Sequence, residues 1–214
     1  MAAHRGHGAG GAGALTRARL LDGGERVVVL ALYVWLVVRL VGGDGLAFGW
    51  LQLLSEGMLV VFLLIRRPAA SISLRPQDWA LAFAGTTLPL LATGGLGEAH
   101  APKALVVFLW LVGFVIQVSA KLWLGRNFGL VAARRALVLG GPYRFVRHPM
   151  YLGYLVTHLA VIGMNPASTN LALYAACWLC QVPRLLAEER LLGEDPAYQA
   201  YRGAVRWRLL PGLW

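Results

Sequence analysis

The chain has 214 residues, 58% of them hydrophobic and only 14% charged, with a mean hydropathy of +0.61. Soluble domains carry about 25% charged residues, so a chain this apolar lacks the polar surface that a soluble fold needs, and a polytopic membrane protein is expected. The formal charge of +10 would suggest nucleic acid in a soluble protein, but here the basic residues fall in loops between apolar runs, which argues against nucleic acid and reads as a topology signal.

Residues 1–24 are rich in Gly, Ala, His and Arg and show no apolar period, so they read as a flexible cytosolic tail. Neither a phosphate-loop pattern nor a signal-peptide pattern is expected from them. Residues 25–214 read as one membrane domain. Its apolar runs are 27–41, 46–65, 79–96, 104–124, 150–164 and 167–182, each near or somewhat below the ~20 residues of a bilayer crossing. The fold class is therefore all-α and polytopic, with about six membrane helices.

Asn165-Pro166 separates the last two runs and is a turn signal, so these two read as a short helical hairpin. The final stretch mixes Tyr198, Tyr201, Trp207 and Trp214 with Arg202, Arg206 and Arg208, and reads as an amphipathic segment at the headgroups. With the N-terminus in the cytosol, every Lys and Arg except Arg39 and Lys103 falls on the cytosolic side. Both termini are then cytosolic, and a bacterial protein of this kind would sit in the inner membrane. Cys177 and Cys180 lie in an apolar helix without a second ligand pair, so they imply neither a disulfide nor a metal site.

Polar chemistry concentrates in residues 141–153, where Tyr143, Arg144, Arg147, His148 and Tyr151 stand at the start of an apolar run. Desolvating such a cluster at a membrane edge is unfavourable unless it binds something. After two apolar segments come Arg184, Glu188 and Glu189. Arg184 and Glu188 are four apart and share a helical face; alone they would read as a salt bridge at the membrane edge. Glu189 points about 100° away, towards a role in orienting Arg147 or Arg190.

The pattern Gly141-x-Tyr143-x-x-x-Arg147-His148-Pro149-x-Tyr151-x-Gly153, followed by Glu188-Glu189, resembles the signature of the integral-membrane methyltransferases. These include isoprenylcysteine carboxyl methyltransferases and phospholipid N-methyltransferases. The resemblance covers about residues 121–211. It implies that this part binds S-adenosylmethionine through Arg135, Ala136, Leu137, Val138, Tyr143, His148, Pro149, Met150, Tyr151 and Glu188. It also implies that Arg184 matches the substrate arginine of the carboxyl methyltransferase branch. In one respect the chain departs from that family. Residues 127–131 lead quickly to Ala132, Ala133 and Arg134, without the longer segment whose glutamine touches cofactor in eukaryotic members.

The residue types suit such a ligand. Glu188 can accept from ribose or ammonium groups, Arg147 or His148 can meet a carboxylate, and Tyr143 and Tyr151 offer ring faces and hydroxyls. Ala136, Leu137 and Val138 offer backbone groups and an apolar wall. Pro149 in a first helical turn leaves amides free to face an anion.

Within the spans, His158 reads either as a satisfied core histidine or as a substrate-cavity group. Glu56 reads as protonated or paired, and Lys121 as bordering the pocket beside Gln117 or snorkelling. The expected acceptor is a lipophilic or lipidated small molecule, most readily the carboxylate of an isoprenylcysteine-like compound; a phospholipid amine is the alternative. Two other classes stay open: an NADPH-dependent lipid reductase using Arg134, Arg135 and Arg144, and a transporter using Glu56 and His158. The sequence leaves the oligomeric state open.

Overall fold

A computed structural model describes residues 8–43, 49–67, 69, 71–94 and 98–214. It is mostly helical: α1 Gly8–Val41, α2 Gly49–Ile65, α3 Pro76–Thr87, α4 Lys103–Leu124, α5 Pro149–Met164, α6 Ser168–Leu192 and α7 Pro196–Ala204. Two short strands, β1 Ser71–Ile72 and β2 Ala133–Arg134, pair antiparallel with Ser71 opposite Arg134. They tie the α2–α3 connection to the loop after α4, and Ser73 N–H donating to Ala132 extends the pairing by a residue.

Helix α1 begins at Gly8, within the stretch 1–24. Two acidic side chains give the part next to the membrane run a fixed place. Asp22 and Glu25 both bind Arg66 at the end of α2, Glu25 at 2.8 Å, with Glu25 and the Arg66 side chain fully buried. Residues 1–7, with His4 and His7, lie outside the described residues.

Packing of the later helices differs from the hairpin that was expected. The turn falls at Asn165-Pro166, yet α5 lies chiefly along α4 and α6 along α3. Glycines decide this. A Cβ at Gly113 would come within 2.8 Å of Gly153 O and 2.7 Å of Thr157 N, and one at Gly153 within 2.6 Å of Gln117 N. With no side chain at either position, the α4 and α5 backbones touch, as small residues permit between membrane helices. α5 and α6 therefore diverge below their turn, and a cavity opens between them.

Among the described residues, one stretch is long and apolar enough to cross a bilayer by length and composition, Lys103–Asn127. Gly49–Ile65 and Pro149–Met164 are apolar but shorter. Large apolar side chains nonetheless face outward on several helices: Val27, Val34 and Val38 on α1, Leu54 and Val61 on α2, Phe108 and Val115 on α4, and Leu179 on α6. Leu179 is 76% exposed, which suits lipid rather than water.

In the C-terminal segment Trp207 and Leu213 are exposed. Tyr198, Tyr201 and Leu209 are buried against the rest of the protein, and the backbone amides of Arg147 and His148 donate to Trp207 and Arg208 at 2.9 Å each.

Candidate active site

The loop 127–138, the 3-10 turn Gly141–Arg144, the start of α5, the end of α6 and α7 surround one pocket. It holds roughly 800 Å³ of empty space, part of it open to solvent. Of the residues expected from the sequence, Arg135, Ala136, Leu137, Val138, Tyr143, Arg147, His148, Met150, Tyr151 and Glu188 all line it. Pro149 does not; it opens α5 behind the wall, where the first helical amide to find a partner is that of Leu152, donating to His148 O at 3.1 Å. The amides of Met150 and Tyr151 precede it in the unpaired first turn.

Local structure sets each side chain. Gly141 has φ +56°, a conformation only glycine adopts without strain, and it turns the chain under the Trp123 ring into the 3-10 turn. Tyr143 follows, buried, with its carbonyl accepting from the Tyr201 hydroxyl at 2.7 Å. Burial, and then the charge of Glu188, push its phenol well above the ordinary range, so it stays neutral. Tyr151 donates to Glu188 Oε1 at 2.5 Å. Glu188 thus faces the pocket from α6 with its side chain 21% exposed, able to accept more bonds.

Arg147 and His148 are committed elsewhere. Arg147 Nε donates to Glu189 Oε1 at 2.8 Å and Nη1 to Val205 O at 3.3 Å. His148 Nε2 lies 3.2 Å from the same carboxylate oxygen, and Arg208 Nε donates to the other at 2.8 Å. Burial alone would raise the Glu189 carboxyl. The bonds from His148 and Arg208, with the charge of Arg147, outweigh burial and bring its pKa down to about 2. Glu189 is therefore an anchor for the motif arginine rather than a pocket group. Arg190 turns to Asp78 of α3, at 2.5 Å.

Arg135 is the pocket cation with capacity to spare. Its guanidinium lies over Gly129, its Nε donates to Arg67 O at 3.3 Å, and its Nη2 is buried without a hydrogen bond. Burial, then the like charge of Arg66, lower its pKa to about 10 against the pull of Glu25 and Asp22, so it is a cation at neutral pH. Arg144, by contrast, is exposed, and neither it nor Arg134 lines the pocket, so the three-arginine cluster considered for a 2′-phosphate does not form.

Arg184 lies behind the pocket wall and lines neither cavity. Its guanidinium stacks 5.5 Å from the Tyr151 ring, and its Nε is 3.8 Å from Glu188 Oε1. On its other side Nη1 reaches Gln181 Oε1 at 3.3 Å and Thr86 Oγ1 at 3.4 Å. Gln181 and Thr86 line a second cavity, of roughly 740 Å³, between α2, α3, α4, α5 and α6. Arg184 is 3% exposed, and its Nε has no hydrogen bond. His158 lines this second cavity with Nδ1 unpartnered, so it is not a satisfied core histidine. Glu56 lines it too, and is paired with Lys121 at 3.2 Å. Lys121 is fully buried and also bonds Ser55 Oγ at 2.7 Å, so it does not snorkel.

Residues 105–194, which span α4 through α6 and most of both cavity walls, match the model of the isoprenylcysteine carboxyl methyltransferase (ICMT) family. This part of the chain is similar to that family. Comparison with curated proteins gives no match. By its description, that family is one of methyltransferases.

Several groups that shape the pocket escape the motif. Tyr198 and Tyr201 line it from α7; their three-residue spacing in the last segment was the only hint. Glu25 is the other. Its Oε1 accepts from the amides of Leu130, at 2.7 Å, and Val131, at 3.3 Å, while its Oε2 holds Arg66. α1 thereby fixes the shortened loop 127–131. Glu25→Ala leaves Arg66 buried with one fewer carboxylate and two amides unpaired. Breaking a buried pair this way costs about 3–5 kcal/mol. The expected result is a melting temperature several degrees lower, read by thermal unfolding in detergent, with the loop more open to proteolysis.

Proposed function

We propose that the protein is an S-adenosylmethionine-dependent methyltransferase acting on a lipophilic acceptor, most readily the carboxylate of an isoprenylcysteine-like compound. The observation that carries this reading is Arg184, a buried arginine whose Nε makes no hydrogen bond, interposed between the pocket of the family motif and a second cavity.

The pocket residues fit the cofactor. Glu188 suits its ammonium or ribose groups, Arg135, whose Nη2 makes no hydrogen bond, suits its carboxylate, and Ala136, Leu137 and Val138 form an apolar wall for adenine. When bound, this cofactor supplies a methyl group made electrophilic by a sulfonium. The protein's share is positioning and exclusion of water. Arg184 would hold the acceptor carboxylate, which is already a nucleophile and needs no base. Tyr151, pinned to Glu188 and under the Arg184 guanidinium, would keep the two partners in register. Most of the six apolar helices would be embedded in lipid, with the motif pocket at the cytosolic face and the acceptor entering from the bilayer.

Calorimetry with purified protein is expected to show binding of S-adenosylmethionine and of its demethylated product, weakened about tenfold or more in Glu188→Ala. Absence of binding in several detergents and lipids would sink the proposal. Transfer of labelled methyl into a lipid extract, with mass identification of the product, then separates a methyl ester from a methylated amine.

A further inference from the structure

The second cavity joins an apolar and aromatic wall to several polar groups. Pockets for apolar ligands are lined mostly by apolar groups with a few polar ones. Here Gln52, Glu56, Gln117, His158 and Gln181 all contribute to the wall. Three of them have their hydrogen bonds wholly or partly made within the protein. Glu56 Oε1 pairs with Lys121, Gln117 Oε1 accepts from Ser55 Oγ at 3.4 Å, and Gln181 joins Gly85 O and Arg184.

His158 is different. Its residue is 8% exposed, its ring is stacked on Tyr154 and lies 4.7 Å from the Tyr174 ring, and its Nδ1 is buried without a partner. The aromatic contacts fix the ring in place, and a hydrogen-bonding atom is left unmatched beside empty space.

Tyr151, Tyr154 and His158 follow one another along one face of α5, in ring contact at 6.3 Å and 6.2 Å. Arg184 stacks on the first of them. Seven residues of helix at 1.5 Å each put His158 about 10 Å from the Arg184 end.

We infer that the acceptor carries a second hydrogen-bonding group, a hydroxyl or carbonyl, about 10 Å from the carboxylate that Arg184 holds, and that His158 binds it. The inference rests on the carboxylate reading above and narrows it: the acceptor is an oxygenated lipid acid rather than a simple prenyl chain. A tail of hydrocarbon alone leaves His158 unpaired, or displaces water that pairs it, and either loses about tenfold in affinity.

The test uses two S-prenylated cysteines of equal length, one all-hydrocarbon and one with a hydroxyl about 10 Å from the carboxylate. Binding to the full-length protein is read from quenching of its tryptophan fluorescence, since Trp110 lines the cavity and Trp178 contacts His158. Methyl transfer is read separately with labelled cofactor. The hydroxylated compound is expected to bind the wild type about tenfold more tightly, and His158→Leu to shrink that preference to about twofold or less. Equal binding of the two by the wild type overturns the inference without recourse to any variant. A preference that His158→Leu leaves intact removes His158 from it. A preference without methyl transfer to either compound overturns the methyl-transfer reading and leaves the polar subsite standing. Equal transfer to both with equal binding does the reverse.

Discussion

Arg184→Ala is expected to lower methyl transfer by about ten- to a hundredfold while cofactor affinity changes only a few-fold. The arginine is buried, its nearest carboxylate is 3.8 Å away, and its other contacts are two neutral oxygens at 3.3 and 3.4 Å. A buried cation so lightly matched is prepared for an anion. Glu188 does not depend on it, because the Tyr151 hydroxyl already holds one of its oxygens. Arg184→Lys keeps the charge but loses the planar fork and the guanidinium contact with the Tyr151 ring, so partial rescue at most is expected. Single-turnover transfer and calorimetric cofactor binding, measured on the same preparations, separate the two effects. Turnover intact in Arg184→Ala would make the residue a structural partner of Glu188 and remove the residue-level support for a carboxylate acceptor.

What the sequence makes legible here is whatever helical spacing or contiguity can carry. Tyr143 to Tyr151 fall within nine residues, so one turn and one helix start bring them to a common wall. Arg184 and Glu188 share a face because they are four apart. Contacts made across long stretches of chain are not legible in this way. Glu25 meets Leu130 at a separation of 105 residues, and Tyr201 meets Tyr143 at 58. A glutamate at the head of an apolar run looks like a flanking charge, and its partners are backbone amides without a side-chain signature. The divergence of α5 and α6 was hidden for another reason. A short turn makes two helices neighbours in sequence, but Gly113 and Gly153 let α4 take α5 instead. Those glycines stand in plain apolar runs, and only their pairing in space gives them meaning. Arg135 and Arg147 were both expected at the cofactor; which of them keeps a free donor depends on Glu189, whose direction follows from helix geometry but whose partners do not.

Glu189→Ala is expected to be the most destabilising change at the site, by about 3–5 kcal/mol. Glu189 is 6% exposed and accepts from Arg147 on the motif loop and Arg208 on the C-terminal segment, with His148 and Tyr198 at 3.2 and 3.5 Å. Removing the carboxylate leaves Arg147 buried with a carbonyl as its remaining partner and frees the segment that closes the pocket from below. The cofactor should then bind weakly even though Glu189 does not line the pocket. Glu189→Gln tests the charge separately from the shape. The carboxyl's pKa is lowered from the ordinary 4.5 to about 2, so its stabilisation is fully present above about pH 4.5 and is lost as pH falls towards 2. A depression of that size corresponds to about 3 kcal/mol. Wild-type melting temperature should therefore fall more steeply between pH 4.5 and pH 2 than that of Glu189→Gln, which cannot titrate at that position. Parallel curves for the two proteins would show that the anchor holds the C-terminal segment by packing, with Arg147 and Arg208 neutralised by other groups.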